Sequence, residues 1–376
     1  MDWLINAVYY IVPFIVLLGI LVFVHELGHY LVAKVIGVKV DEFSIGFGKK
    51  LWGFTDKSGT EWKVCAVPLG GYCKFFGDAD ASSSTSEDQA QISEEEKKYA
   101  FNYQPPFKKL LIALAGPGAN YLFALLVFAS IFYFVGKVDF PPVVGEIIPG
   151  GAAEAAGIKA GDRFLTVNGH KVANFEDIRR EVRLSADGKA EVRLRRGEKE
   201  LSLLINLKTI PGEVEPRAEE NTPMLGVRSV SIVEIQRSDV SLWQALKDAG
   251  VETWKVTDLT LRGVGQMITG KRGADDVGGI VRIAEMSGDI SKQSGWLDFL
   301  IFMALLSINL GLINLFPIPV LDGGHVVISV VEMLTGRELN AKFKEAMFKF
   351  GLFLILSLMV FATYNDFARL FHRWFS

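Results

Sequence analysis

Five histidines occur in the 376 residues, at positions 25, 29, 170, 325 and 372. Two of them bracket a glutamate in the run His25-Glu26-Leu27-Gly28-His29. On an α-helix, positions i and i+4 share a face. The two imidazoles can therefore hold one zinc ion, with Glu26 near a metal-bound water as general base. A chance match to so short a pattern is the bland alternative, and the surroundings of the motif weigh against it. A catalytic zinc takes three protein ligands and keeps one position open, so one more donor must come from elsewhere. The run Asn314-Leu-Phe-Pro-Ile-Pro-Val-Leu-Asp322-Gly-Gly-His325 offers it. Pro317 and Pro319 break a helix there, and irregular backbone inside a membrane is tolerated where it lines a cavity. Asp322, on an irregular turn before two glycines, is then free to approach a metal. His325 reaches the same place if a helix begins at that turn; packing or support of a ligand is its favoured role. His170 and His372 read as loop and tail residues.

The elements that must position these groups are apolar. Half of all residues are hydrophobic and only 22% are charged, with a net charge of −3. That balance gives no electrostatic footprint for nucleic acid. Two cysteines, Cys65 and Cys73, build no disulfide scaffold. Four apolar stretches stand out: Trp3 to Val38, Leu110 to Val135, Phe299 to Val320 and Phe350 to Tyr364. A hydrocarbon core of about 30 Å needs about 20 apolar helical residues, so these read as four spanning helices. The first begins without a basic region and is expected to be retained rather than cleaved as a signal peptide. Three ionisable groups within one turn of such a helix are costly, and a bound metal is what offsets them. Lys34, Lys39, Lys108, Lys109, Arg337, Lys342, Lys344 and Lys349 flank the spans on one side, the cytoplasmic side by the positive-inside rule. Both termini and residues 137–296 then lie outside the cytoplasm.

Between the spans, Phe43 to Gly48 and Glu61 to Val67 read as short strands, with Pro68 to Tyr72 as a turn. Both cysteines are expected to pack in this sheet. The Ser- and Glu-rich run from Asp78 to Lys98 reads as a loop. From Pro141 to about Leu207 come a strand, a short helical turn, a strand closed by Asn168-Gly169, a helix with Phe175, Ile178 and Val182 on one face, and two alternating strands. This order resembles a PDZ domain of the bacterial arrangement, in one copy. Ser241 to Thr269 has the spacing of an amphipathic helix.

Together, His25 to His29 and Asn314 to His325 resemble the site-2 protease family of intramembrane metalloproteases. Phe43 to Gly48 and Ala115-Gly-Pro-Gly-Ala-Asn120 match further family segments. With a PDZ domain between the second and third spans, the chain is similar to the bacterial RseP type, though that type carries two such domains. The resemblance implies a polytopic α-helical membrane protein of about four transmembrane helices, with a membrane-associated β-loop and an inserted extracytoplasmic PDZ domain. Its parts would be helix 1 over 1–38, a membrane-reentrant β region over 39–77, a cytoplasmic loop over 78–107, helix 2 over 108–136, the PDZ domain over 140–208, a linker and amphipathic helix over 209–296, helix 3 over 297–331 and helix 4 over 348–366. It implies zinc held by His25, His29 and Asp322, with Glu26 as the base. Asn314, Pro317 and Pro319 would meet substrate, as would Gly46, Phe47 and Gly48 by pairing with an unwound strand. The PDZ groove would be edged by Val143, Val144 and Gly145 and by Ile178 and Val182 of the helix. Substrates implied are single-pass membrane proteins, such as an anti-sigma factor or remnant signal peptides, in the bacterial inner membrane.

Two other classes compete. A non-catalytic PDZ adaptor would be expected to have lost Glu26 or a ligand, and neither is missing. An ion transporter would be expected to show internal repeats, and the sequence shows none.

Overall fold

The structure is a computed structural model described over residues 2–78, 92–136, 140–185, 188–209, 223–229, 240–271 and 278–375. Most of the loop expected from Asp78 to Lys98 lies outside the described residues, as does much of the linker after residue 209. The chain divides into two compact units. The first comprises Met1–Ser130, Ala245–Thr257 and Val277–Ser376, and the second Ile131–Gln244 and Asp258–Asp276.

Long apolar runs make the first unit helical, with Pro13 inside its first helix and Pro117 inside its second. Its helices are α1 (Asp2–Val35) and α2 (Pro106–Phe134) and, in its last segment, α6 (Ile280–Gln293), α7 (Trp296–Asn314), α8 (Asp322–Thr335) and α9 (Ala341–Phe375). Among the described residues, four stretches are long and apolar enough to cross a membrane: Val8–Val35, Pro106–Phe134, Trp296–Asn314 and Ala341–Phe371. Exposed Val8, Ile11 and Val12 on α1, and Phe350, Phe353 and Val360 on α9, present apolar surface outward, as lipid-facing helices do. This is a polytopic helical membrane protein. The third span is shorter than the sequence indicates. Pro317 and Pro319 lack the N–H a helix needs, so α7 ends at Asn314 and α8 starts afresh at Asp322. Glycine is required at the start of α8, because a Cβ on Gly323 or Gly324 would collide with the carbonyls of Leu315, Phe316 or Ile318.

Between α1 and α2 run two long antiparallel strands, β1 (Val40–Thr55) and β2 (Glu61–Phe75). The expected turn at Pro68 to Tyr72 is instead part of β2. The strand bends there, with Gly70 at φ +121°, and continues through successive register shifts. The stretch Glu42–Ile45 consequently carries partners on both sides, Glu61–Val64 on one and Gly71–Lys74 on the other. Asp56 pins the connection to α1: it accepts from Tyr30 Oη (2.7 Å), Trp62 Nε1 (3.0 Å) and the backbone of Ser58 and Thr60. Phe43 packs against Phe23, Tyr30 and Trp62. The sheet is thereby fixed beside the turn of α1 that carries the His-Glu-His motif.

In the second unit, β3 (Val144–Ile147) pairs with β10 (Val227–Ser229). A four-stranded antiparallel sheet has the order β5 (His170–Lys171), β4 (Arg163–Val167), β6 (Lys189–Arg196), β7 (Lys199–Asn206). Alternation along β6 buries Ala190, Val192 and Leu194 on one face. They meet Phe175, Ile178 and Val182 of helix α4 (Phe175–Arg183) in a single core with Val144, Phe164 and Ile205. The short α3 (Ala152–Ala155) and the two-residue strands β8 (Lys208–Thr209) and β9 (Pro223–Met224) complete this unit. Helix α5 (Leu242–Ile268), N-capped by Ser241, has its middle, Ala245–Thr257, among the first unit's residues and both its ends among the second's.

Asp162 anchors the hairpin end of this sheet. Its buried carboxylate accepts from Arg196 Nε (2.8 Å), Arg196 Nη2 (2.7 Å) and the Lys159 amide (2.8 Å). Burial alone would push this carboxyl up, but the guanidinium and the amide outweigh it and hold it below the usual range. A carboxyl depressed by folding stabilises above its unfolded pKa of about 3.9 and loses that contribution as pH falls through the folded value. Asp162→Asn is expected to cost about 1.5–3 kcal/mol at pH 7, and the difference from the parent should shrink on acidification below about pH 4. Hydrogen exchange of the β4 and β6 amides in the full chain measures both, and a pH-independent difference would contradict the assignment.

Candidate metal centre

His25 and His29 fall one turn apart on α1, and their Nε2 atoms are 3.3 Å from each other. Asp322, the first residue of α8, brings Oδ2 to 3.1 Å from His25 Nε2 and Oδ1 to 3.4 Å from His29 Nε2. One ligand atom from each of the three lies within 4.8 Å of the others. Both histidines are buried, and Asp322 Oδ2 is a buried oxygen with no directed hydrogen bond. Two imidazole nitrogens and a carboxylate converging on one point, with an oxygen left unsatisfied, are nitrogen and oxygen donors of the kind zinc takes. The residues fit the metal.

The site depends on close approach of helices. A Cβ on Gly28 would strike the carbonyl of Ala115, and one on Gly116 would strike His29 Nε2. Glycine at these two positions lets α2 lie directly against the motif. From α2, the backbone carbonyl of Ile112 lies 2.8 Å from His29 Nδ1, and the Asn120 side-chain amide lies 3.0 Å from His25 Nδ1. These two contacts escaped sequence reading. The available signal was Asn120, the only side-chain amide in the uncharged run from Leu110 to Val135.

A cavity of about 390 Å³ opens onto the three donors. Glu26 lines it and takes a hydrogen bond from the backbone of Cys73. Asn314, Val320, Leu321 and His325 line it too, His325 packing at a ring distance of 5.4 Å on Phe348. Pro317 and Pro319 bend the chain carrying these residues and are not part of the wall. The strand wall comes from Gly70, Gly71, Tyr72 and Cys73 of β2. Gly46, Phe47 and Gly48, expected at the substrate, are not among the residues lining this cavity; Phe47 stacks on Tyr72 at 6.0 Å and pairs with Val67. The bend in β2, invisible to a reading that placed a turn there, is the reason.

In the second unit, the residues expected to edge a groove are largely interior. Val144, Ile178 and Val182 belong to its core, β3 already pairs with β10, and Val143 bridges Arg163. Gly145 lies within the paired strand. His170 lies in the short exposed strand β5, and the side chain of His372 is outside the described set.

A membrane-embedded His-Glu-His turn completed by an aspartate from a broken helix defines a metallopeptidase centre. The chain matches the model for peptidase family M50 over residues 13–358. It is 41% identical over 372 residues to a protein of Agrobacterium fabrum named "Putative zinc metalloprotease Atu1380", with 96% of each chain covered. A Rickettsia conorii protein of the corresponding name is 38% identical over 96% of this chain and 99% of its own. Metalloprotease MmpA of Caulobacter vibrioides is 34% identical over 96% and 95%. The chain belongs to peptidase family M50, the site-2 protease family, and is a zinc metalloprotease.

Gly116→Ala is expected to lower zinc affinity by roughly tenfold or more, the scale seen when support of a ligand histidine is disturbed. Gly118→Ala, where a Cβ meets nothing within 4 Å, should leave it unchanged. Chelator competition on the purified full chain compares the two, and equal affinities would contradict the packing argument.

Proposed function

We propose that this protein hydrolyses peptide bonds within the spanning segments of single-pass membrane proteins. One observation carries the reading: three convergent donors and Glu26 share a cavity among helices apolar enough to cross a membrane. His25, His29 and Asp322 would hold zinc. When bound, zinc supplies Lewis acidity toward a carbonyl and lowers the pKa of a coordinated water toward about 7. Glu26, its carboxylate held by the Cys73 backbone, accepts the proton from the attacking water and returns it to the leaving nitrogen. Asn314, among the residues lining the same cavity, would steady the developing oxyanion.

A peptide bond in a helix keeps its carbonyl in an intrahelical hydrogen bond, so cleavage requires local unwinding. Among the described residues, Gly71–Phe75 is paired on one side only, with the start of β1. Its other side borders the cavity, where an extended substrate segment can add as a strand. Residues 140–208, continued by β10, form the PDZ domain in this reading and lie outside the cytoplasm. The domain excludes bulky ectodomains or captures a newly exposed C-terminus. The bacterial relatives support an inner-membrane location, and a trimmed anti-sigma factor or a remnant signal peptide is the substrate class in keeping with it.

Glu26→Gln separates binding from chemistry. In detergent-purified protein, parent and variant are expected to hold one zinc each, with cleavage of a model single-pass substrate falling at least about a hundredfold in the variant. Equal cleavage would remove Glu26 as the base. Zinc in neither would favour a non-catalytic adaptor built around the PDZ domain.

A further inference from the structure

The two motif histidines keep different company at Nδ1. His29 Nδ1 lies against the backbone carbonyl of Ile112, a group that can only accept. That nitrogen therefore carries the proton, and Nε2 keeps its lone pair for the metal. His25 Nδ1 faces a side chain that can act either way, the Asn120 amide. Nδ2 is the nearer atom at 3.0 Å, and Oδ1 of the same amide is buried without a hydrogen-bond partner. The amide torsion of asparagine is roughly twofold, so a half-turn exchanges the two atoms. With Nδ2 against Nδ1, His25 must place its proton on Nε2, among the converging donors. With Oδ1 there, Nδ1–H is held, Nε2 is a free donor and the orphaned oxygen is satisfied.

The setting makes this a specific arrangement rather than loose packing. Asn120 is wholly buried, and its own backbone carbonyl accepts from Ser307 Oγ of α7 at 2.9 Å. Gly311, one turn further along α7, packs against the Pro117 carbonyl. Asn120 is thus held from α7 on its backbone side while its amide is presented to α1.

We infer that Asn120 is a positioning residue for the metal centre: its Oδ1 accepts from His25 Nδ1–H and fixes the tautomer that offers Nε2 to zinc. The inference rests on reading His25, His29 and Asp322 as zinc ligands. A carboxylate preserves the acceptor, whereas leucine keeps the approximate shape and removes it.

The test is zinc affinity by chelator competition on the full-length protein in detergent, for the parent, Asn120→Asp and Asn120→Leu. Thermal unfolding in excess chelator reports the metal-free fold. Asn120→Asp is expected to bind at least as tightly as the parent, and Asn120→Leu roughly 10–100-fold more weakly with an unchanged metal-free transition. Leucine binding as tightly as the parent, or aspartate as weakly as leucine, would overturn the inference while leaving the zinc site standing. A parent that binds no zinc would overturn the site reading and this inference together. Should the leucine variant fail to fold, ¹⁵N histidine spectra of the zinc-loaded parent decide. Nδ1–H with metal-bound Nε2 is expected at His25, and the opposite tautomer would overturn it.

Discussion

Burying ionisable groups where water is scarce is the constraint from which the rest of this structure follows. His25, Glu26, His29 and Asp322 come together among apolar helices, where each charge or unpaired polar atom is costly. Nothing in hydrocarbon solvates them, so every lone pair needs a partner from the protein or from a metal. The first unit is arranged to supply those partners. Ile112 and Asn120 reach the outer nitrogens of the two rings, Cys73 reaches Glu26, and the three remaining donor atoms face one another.

Such convergence demands backbones closer than ordinary side chains permit. Gly28 and Gly116 bring α1 and α2 into contact beside the rings, Gly311 seats α7 on α2, and Gly323 and Gly324 fold the broken segment onto the start of α8. Without hydrophobic drive between helices in lipid, small residues and buried hydrogen bonds carry the association. The same residues that hold the bundle together therefore set the geometry of its chemistry. The long bent strand pair adds a polar edge at the same depth in the cavity wall, supplied by Gly70 to Cys73.

Much of this was legible in the sequence, for short-range reasons. Helix periodicity alone puts His25 and His29 on one face. Uncharged runs announce the spanning helices, and Asp322 stands out as an acid beside two prolines and two glycines in an apolar context. What depends on the crossing of helices was not legible. Asn120 matched a family segment without revealing that it faces His25, because that contact follows from where α1 and α2 meet. Pro317 and Pro319 announce a break in the third span, but that the helix already ends at Asn314 does not follow from them alone. Pro68 to Tyr72 has the composition of a turn, yet the strand bends through it on Gly70. That moved the cavity edge away from Gly46, Phe47 and Gly48. In the second unit, apolar residues that signalled a groove proved to be its core.

The central claim is a zinc centre built from His25, His29 and Asp322, and its coordination shell can be read directly. Cys73 lines the same cavity, so a thiolate ligand is the concrete alternative. Zinc K-edge absorption of the loaded full-length protein is the decisive measurement. The account predicts a shell of nitrogen and oxygen alone at about 2.0–2.1 Å, with the outer-shell signature of two imidazoles. A sulfur scatterer at about 2.3 Å, or fewer than two imidazoles, would contradict it.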